Sequence, residues 1–138
     1  TISRSLEVKE CKTGAVRIAA EAGVPLIPMA LWGTQLLKTK DHPSDLWGRG
    51  KTIAIAVGEP IEVTGEDPVA ETAVMRSAIA ALLEKAIADY PLSPAGQWWA
   101  PRRLGGLAPT PEEAKRMDVE EYAARAAKKA AREADEGK

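Results

Sequence analysis

Two short apolar runs limit what this chain of 138 residues can fold into. The first covers residues 24–32, between Gly23 and Gly33, and the second covers residues 52–57, before Gly58. Short runs rich in Val, Ile and Leu are typical of buried strands. A doubly wound α/β domain usually needs about four or more strands. We therefore expect an α/β domain whose sheet is completed by a partner in space or by chain outside this sequence.

Proline interrupts the first of these runs. Pro25 and Pro28 cannot donate ladder hydrogen bonds, so we expect an irregular strand or a strand at a sheet edge. We expect the second strand to be buried, with a short extension over residues 61–63. Residues 34–50 are polar and contain Pro and Gly, which predicts a loop between the strands.

The first two helices are predicted from capping residues and apolar spacing. Residues 13–22 are expected to form a short helix that Gly23 ends, with Val16, Ile18 and Ala19 facing inward. A second helix begins at Asp67-Pro68, where a cap residue precedes a proline in the first turn, and Pro91 closes it. The inward residues of this second helix follow three-and-four spacing: Met75, Ile79, Leu82, Leu83, Ala86, Ile87 and Tyr90.

A third helix is predicted at the C-terminal end of the chain. Thr110-Pro-Glu-Glu113 matches a capping box, and the helix that it opens extends to about Ala134. Its apolar stripe is thin, so we expect it to be mostly solvated: Val119, Tyr122 and Ala126. The composition divides the chain into residues 1–96, which form the α/β part, and residues 97–138, a Trp/Arg segment followed by an Ala-rich charged helix.

Composition excludes several classes of protein. With 45% apolar and 28% charged residues the chain is globular rather than disordered. The single Cys11 cannot form an internal disulfide, which fits a reducing compartment. A net charge of −1 argues against a dedicated nucleic-acid binder, so no nucleic acid is expected as a partner. We see no signal peptide and no run of about 18 apolar residues that would cross a membrane.

Two blocks near the N-terminus carry the most specific pattern. One is Thr1-Ile-Ser-Arg-Ser5, and the other is Val24-Pro-Leu-Ile-Pro-Met29, which follows Lys12-Thr-Gly14 and a helix. In this order and spacing they resemble the third and fourth blocks of the glycerolipid acyltransferase family, typified by 1-acyl-glycerol-3-phosphate acyltransferase. The family's third block reads Phe-Pro-Glu-Gly-Thr-Arg-Ser, so this chain would begin at its threonine. The resemblance is concentrated in residues 1–35.

The resemblance implies a fold and an activity. The fold would be the C-terminal part of an α/β acyltransferase domain, with a mixed sheet flanked by helices, followed by the charged C-terminal helix. The activity would move an acyl group from acyl-CoA or acyl carrier protein to a lysophospholipid such as 1-acyl-glycerol-3-phosphate, in phospholipid biosynthesis. It needs no cofactor besides the acyl donor. The whole enzyme would be cytoplasmic and peripheral to the cytoplasmic face of the membrane.

The first block is expected to bind the phosphate of the acceptor. By position the resemblance assigns this role to Thr1 and Ser3, and we add Arg4 and Lys12 as nearby cations. Hydroxyls, cations and the N–H groups of a helix N-terminus are suitable phosphate ligands. Ile2 stands where the family has an arginine, which weakens the match. The alternative is an ordinary polar loop with a solvated arginine.

The second block would lie near the acyl chain. The resemblance assigns the acyl pocket to the residues before Met29: Val24, Pro25, Leu26, Ile27 and Pro28. The alternative is a plain core strand.

The family's catalytic pair is absent from this sequence. That pair is a His and an Asp separated by four residues, with the His as general base. The only histidine is His42, and the residue five further on is Trp47. We therefore predict no catalytic residue and no metal site here, and we expect the isolated chain to be inactive. The alternatives are a non-catalytic interaction module and a degenerate acyltransferase.

Two charged C-terminal features have competing interpretations. Trp98-Trp99-Ala-Pro-Arg-Arg103 could lie at a lipid headgroup surface, but we favour packing of this segment onto its own domain. The basic residues of the last helix alternate with acidic ones, so a solvated helix is favoured over binding to an anionic surface.

Overall fold

The computed structural model describes residues 3–136 as a mixed α/β fold with three helices and one antiparallel sheet of two strands. The helices are α1 (Gly14–Ala22), α2 (Pro68–Ala88) and α3 (Pro111–Glu136). The strands are β1 (Met29–Trp32) and β2 (Ala54–Val57). Short 3-10 turns follow β1 at Thr34–Leu36 and precede α3 at Arg102–Leu104. The α/β content matches the prediction, whereas the sheet within residues 3–136 is antiparallel rather than mixed.

Proline shortens the first strand as expected. The regular ladder begins at Met29, opposite Val57, and ends at Trp32, opposite Ala54. Ahead of it, Leu26 forms only an isolated bridge with Ile61. The prolines at 25 and 28 explain this gap, because neither has an N–H to donate.

The two faces of the sheet differ in how deeply their side chains are buried. Ala30 and Trp32 are buried on the face that packs against α2. The opposite face carries large apolar side chains that are about half exposed: Met29, Leu31, Ile55 and Val57. The expectation of a buried second strand is therefore wrong, since Ala54 and Ala56 are only half-buried and the other two residues of β2 are exposed. An apolar run does not reveal whether its faces are covered. Within residues 3–136, α2 is the helix that packs extensively on the sheet, and it packs on the other face.

Helix α1 agrees with its predicted position. Gly23 ends it with a left-handed φ of 63°, and its N–H donates to the carbonyls of the last turn. Val16 and Ala19 are buried as predicted. Ile18 is 69% exposed, so its predicted inward orientation is wrong. Two residues along a helix rotate a side chain by about 200°, which places Ile18 on the side opposite Val16.

Helix α2 forms the main support of the sheet. The carboxylate of Asp67 caps it by accepting hydrogen bonds from the N–H groups of Val69 and Ala70, at 3.2 and 3.0 Å. The helix ends at Ala88, just before Tyr90. The predicted apolar face is confirmed, with its residues buried or half-buried. The core combines this face with the sheet and the segment after the helix: Ala30, Trp32, Leu83, Ala86, Tyr90, Trp99 and Ala100.

The segment between α2 and α3 returns to this core. The ring of Trp99 packs edge-on against Trp32 and Tyr90, with centroid separations of 6.3 and 5.9 Å. Buried Gln35 accepts from the N–H of Gly33 and donates to the carbonyl of Trp99. Packing of the Trp/Arg segment onto its own domain is therefore confirmed, and Trp99 and Ala100 join the core of the α/β part.

Helix α3 begins with the predicted capping box. The N–H of Thr110 donates to Glu113 Oε2 at 2.9 Å, and the N–H of Glu113 donates to Thr110 Oγ1 at 3.2 Å. From Tyr122 to Ala134 every side chain is exposed, which confirms a mostly solvated helix. None of the helices within residues 3–136 is both long enough and apolar enough to cross a membrane.

Replacing Gly33 by alanine is expected to destabilise the fold strongly. Gly33 has a φ of 100°, and a Cβ there would collide with the carbonyl oxygen of Thr52 and lie 2.9 Å from the Tyr90 hydroxyl. That hydroxyl donates to the same carbonyl, so neither group can move freely. We expect Gly33→Ala to lower the free energy of unfolding by more than about 2 kcal/mol, measured by urea titration.

The matched control is Gly50→Ala. Gly50 also has a positive φ, of 76°, but open space surrounds the position of its Cβ. It should lose only about 1 kcal/mol, the cost of the left-handed conformation. Equal losses for the two variants would contradict the close packing at Gly33.

Candidate functional site

The N-terminal segment and β1 line one cleft of about 510 Å³. Ser3, Leu6 and Val8 form part of one wall, and Met29–Trp32 contributes to the lining. Ile79 and Leu83 of α2 complete the apolar lining. Ser3 of the first block and Met29 at the end of the second block therefore line the same cleft.

The cleft follows the edge of β1. All four residues of Met29–Trp32 line it, whereas a cleft on one face of the strand would meet alternate residues. The other edge of β1 pairs with β2. Within residues 3–136 no strand pairs with the cleft edge, which leaves ladder donors and acceptors of β1 without a strand partner there.

Ser3 is the predicted phosphate ligand that lies in this cleft. Its hydroxyl is 3.0 Å from that of Ser5, and Ser5 is buried. The bond between the two hydroxyls restricts the rotation of Ser3 Oγ. A fixed hydroxyl at the mouth of a cleft can donate to or accept from a polar ligand group.

Arg4 points into a group of carboxylates instead. Its Nε donates to Asp41 at 2.6 Å, and its Nη2 donates to Glu121 at 2.8 Å. Its Nη1 donates to Asp118. Only 7% of its side chain is exposed, so Arg4 is not the solvated arginine of an ordinary polar loop.

Two lysines share these carboxylates. Lys9 contacts Asp118, and Lys40 contacts Asp118 at 3.1 Å and Glu121 at 2.9 Å. We call this group the ion-pair cluster: Arg4, Lys9, Lys40, Asp41, Asp118 and Glu121. It connects the N-terminal segment and the loop after β1 with the first turns of α3.

The ion pairs of the cluster shift the pKa values of several members in the direction that favours their charged forms. The hydrogen bond from Lys9 is the largest influence holding the pKa of Asp118 far below its usual value, and Lys40 adds to it. Lys40 and then Arg4 lower the pKa of Glu121 in the same way. The hydrogen bond to Asp41 is the largest influence that raises the pKa of Arg4. These shifts keep Arg4, Asp118 and Glu121 charged at neutral pH.

The remaining predicted phosphate ligands lie elsewhere. Lys12 is exposed one residue before the cap of α1, and it does not line the cleft. Thr1 lies outside the described residues. The structure thus brings Ser3 into the cleft and directs Arg4 into the ion-pair cluster.

The predicted acyl-pocket residues also lie outside the cleft lining, which begins at Met29. Val24 and Ile27 are exposed by 50% and 52%. Leu26 exchanges backbone hydrogen bonds with Ile61 at 2.9 and 2.8 Å. Pro28 is buried and its carbonyl accepts from the N–H of Gly58. Pro25 is exposed.

His42 and Cys11 each contact a neighbouring group of the chain. The ring of His42 stacks on Trp98 with a centroid separation of 4.0 Å. The thiol of half-buried Cys11 donates weakly to the carbonyl of Lys9 at 3.7 Å. Within the part of the chain that the structure describes, no three His, Cys, Asp or Glu side chains are arranged to hold a metal.

Sequence reasoning missed the acidic side of the ion-pair cluster. Asp118 and Glu121 are three residues apart, so they share one face of α3, and this spacing was a usable signal. Their partner Arg4 lies 114 residues from Asp118, and no local pattern connects the two.

Acid is expected to weaken the cluster. The pKa values of Asp41, Asp118 and Glu121 are lowered in the folded protein, so their stabilisation is present above the unfolded pKa of about 4 and is lost as the pH falls below it. We predict that the free energy of unfolding falls between pH 7 and pH 3. In Asp118→Asn that fall should be smaller by about 1 kcal/mol. An equal fall in both proteins would contradict the role of Asp118.

Comparison of the chain with protein-family models, with curated proteins and with solved structures finds no match in any of the three. The observations that bear on function are therefore the contacts of the site itself. Ser3 and Met29 line one cleft along the edge of β1, and the cations of the ion-pair cluster are held by its carboxylates, of which α3 supplies two.

Proposed function

We propose that this chain is the C-terminal part of a glycerolipid acyltransferase. The enzyme transfers an acyl group from acyl-CoA or acyl carrier protein to a hydroxyl of a lysophospholipid such as 1-acyl-glycerol-3-phosphate. One observation carries the proposal: Ser3 of the first block and Met29, the last residue of the second block, line the same cleft. A chance likeness of two unrelated segments does not require them to meet in space.

The lining of the cleft suits an amphiphilic acceptor. Its polar groups include Ser3 and Lys38, which can bind a headgroup. Leu6, Leu31 and other aliphatic side chains supply an apolar wall for a chain. Polar groups at one part of an apolar cleft fix the orientation of a ligand.

The catalytic base of the reaction lies outside this chain in our proposal. His42 stacks on Trp98 and lacks the aspartate that the family's pair requires at the fifth following position. The unpaired edge of β1 and the open face of the sheet offer a surface for the part of the domain that carries the base. That whole enzyme would act at the cytoplasmic face of the membrane.

We predict acyltransferase activity for the native protein and none for the isolated chain. We expect the protein purified from its source cells to acylate 1-acyl-glycerol-3-phosphate, with acyl-CoA or acyl carrier protein as donor. Residues 1–138 alone should give no turnover, because they lack the general base. Radiolabelled acyl transfer measures both.

A pair of serine variants gives the control. In the native protein Ser3→Ala should lower kcat/KM about tenfold or more, the loss expected when one hydrogen bond to a charged group is removed. Ser77→Ala, on the exposed surface of α2, should leave it unchanged. Turnover by the isolated chain, or full activity of Ser3→Ala, would contradict the proposal.

A non-catalytic interaction module is the second candidate. The open apolar face of the sheet favours it, since exposed apolar patches often mark contact surfaces. Absence of turnover in the native protein with both donors would select this module or a degenerate acyltransferase.

A further inference from the structure

Three cations from separate parts of the chain converge on one carboxylate. Arg4, Lys9 and Lys40 each have a nitrogen within 3.1 Å of an oxygen of Asp118. Arg4 also holds Glu121, and its side chain is more than nine-tenths buried. Cations arranged around a single acidic group form an anion-binding site, and here a side chain of α3 is the anion.

The charge of this site without α3 matches a phosphate monoester. Asp118 and Glu121 belong to α3, whereas Asp41 belongs to the loop after β1. If the two α3 carboxylates leave, three cations face one carboxylate, and the net charge of the site is +2. A phosphate monoester carries about −2 near neutral pH, so it can replace the two carboxylates without leaving uncompensated charge.

The site borders the cleft of the proposed enzyme. Ser3 lines the cleft and its neighbour Arg4 belongs to the ion-pair cluster. In the same way Thr39 lines the cleft and its neighbour Lys40 belongs to the cluster. Leu6 and Thr39 line both the cleft and the pocket of Arg4 and Lys40, so the two spaces adjoin.

Few apolar contacts hold α3 in place. Ala114 is buried and Met117 is half-buried, but Val119 is 62% exposed, and every side chain from Tyr122 to Ala134 is exposed. Displacing this part of the helix exposes little additional apolar surface. The ion pairs are thus the main attachment of α3 beyond its capped first turn.

We propose that Arg4, Lys9 and Lys40 form the phosphate subsite for the acceptor, and that α3 closes it with Asp118 and Glu121 as an internal competing anion. The inference rests on the proposed function, which supplies a lysophospholipid phosphate as the ligand. Phosphate and the α3 carboxylates exclude each other, so α3 must move when phosphate binds. Lys9 and Lys40 thereby join Arg4 as phosphate ligands.

Calorimetric titration of the chain with inorganic phosphate, at pH 7.5 and low salt, tests the competition. The double variant Asp118→Asn, Glu121→Gln keeps the shape of both side chains and removes their charges. We expect it to bind phosphate at least tenfold more tightly than the unmodified chain. The control variant Glu120→Gln, Glu133→Gln changes the net charge equally on the same helix and should change the affinity less than twofold. Equal affinities of the double and control variants would overturn the proposal.

Additional variants identify the ligands and guard against misfolding. Lys40→Gln added to the double variant should abolish the gain, and a retained gain would overturn the role of Lys40. Circular dichroism verifies the folding of each variant. If the double variant is unfolded, the single variant Glu121→Gln takes its place, with an expected gain of about threefold, and no gain would overturn the proposal.

Movement of α3 and the source of the phosphate need separate readouts. Phosphate should accelerate amide hydrogen exchange over residues 111–122 of the unmodified chain, and unchanged exchange would overturn the closure. The double variant should bind monomeric 1-acyl-glycerol-3-phosphate more tightly than inorganic phosphate, whereas equal affinities would overturn the assignment to a lipid acceptor. Because these are binding measurements, a tighter double variant without acyl transfer by the native protein would reject the proposed enzyme but not the anion competition.

Discussion

Packing of Trp99 against Trp32 and Tyr90 joins the three parts of the core: the sheet, the end of α2 and the segment that follows it. The hydroxyl of Tyr90 also bonds to the carbonyl of Thr52 beside Gly33, which fixes the chain entering and leaving the sheet. With β1 held on α2 in this way, one edge pairs with β2 and the other faces the N-terminal segment. The candidate site exists because of this orientation.

Local chemistry accounts for the features that the sequence predicted well. Asp67, Gly23 and the pair Thr110 and Glu113 cap their helices through neighbouring backbone groups, so the relevant contacts lie within a few residues. The predicted inward orientation of Ile18 was wrong because a short helix with several apolar residues leaves its inward face ambiguous. The exposure of one face of the sheet was also not predicted, since residue type alone does not reveal which face tertiary packing buries.

Whether a site residue could be predicted from the sequence also depends on whether its contacts are local or distant along the chain. Ser3 was found through a sequence block, and it lies in the cleft with β1. The environment of Arg4 could not be predicted, because its carboxylate partners come from a loop 37 residues away and from a helix more than 100 residues away. Burial of the guanidinium requires nearby anions, and α3 supplies two of them. The C-terminal helix, which resembles a solvated appendage in sequence, thus becomes part of the site.

We propose that this fold is one part of an acyltransferase whose catalytic base lies elsewhere in the polypeptide. Intact mass and N-terminal sequencing of the native protein from its source cells test this claim most directly. We predict a longer chain with Phe-Pro-Glu-Gly immediately before Thr1 and a His and an Asp separated by four residues farther upstream. A native N-terminus at Thr1 would contradict it, because no such pair occurs in residues 1–138.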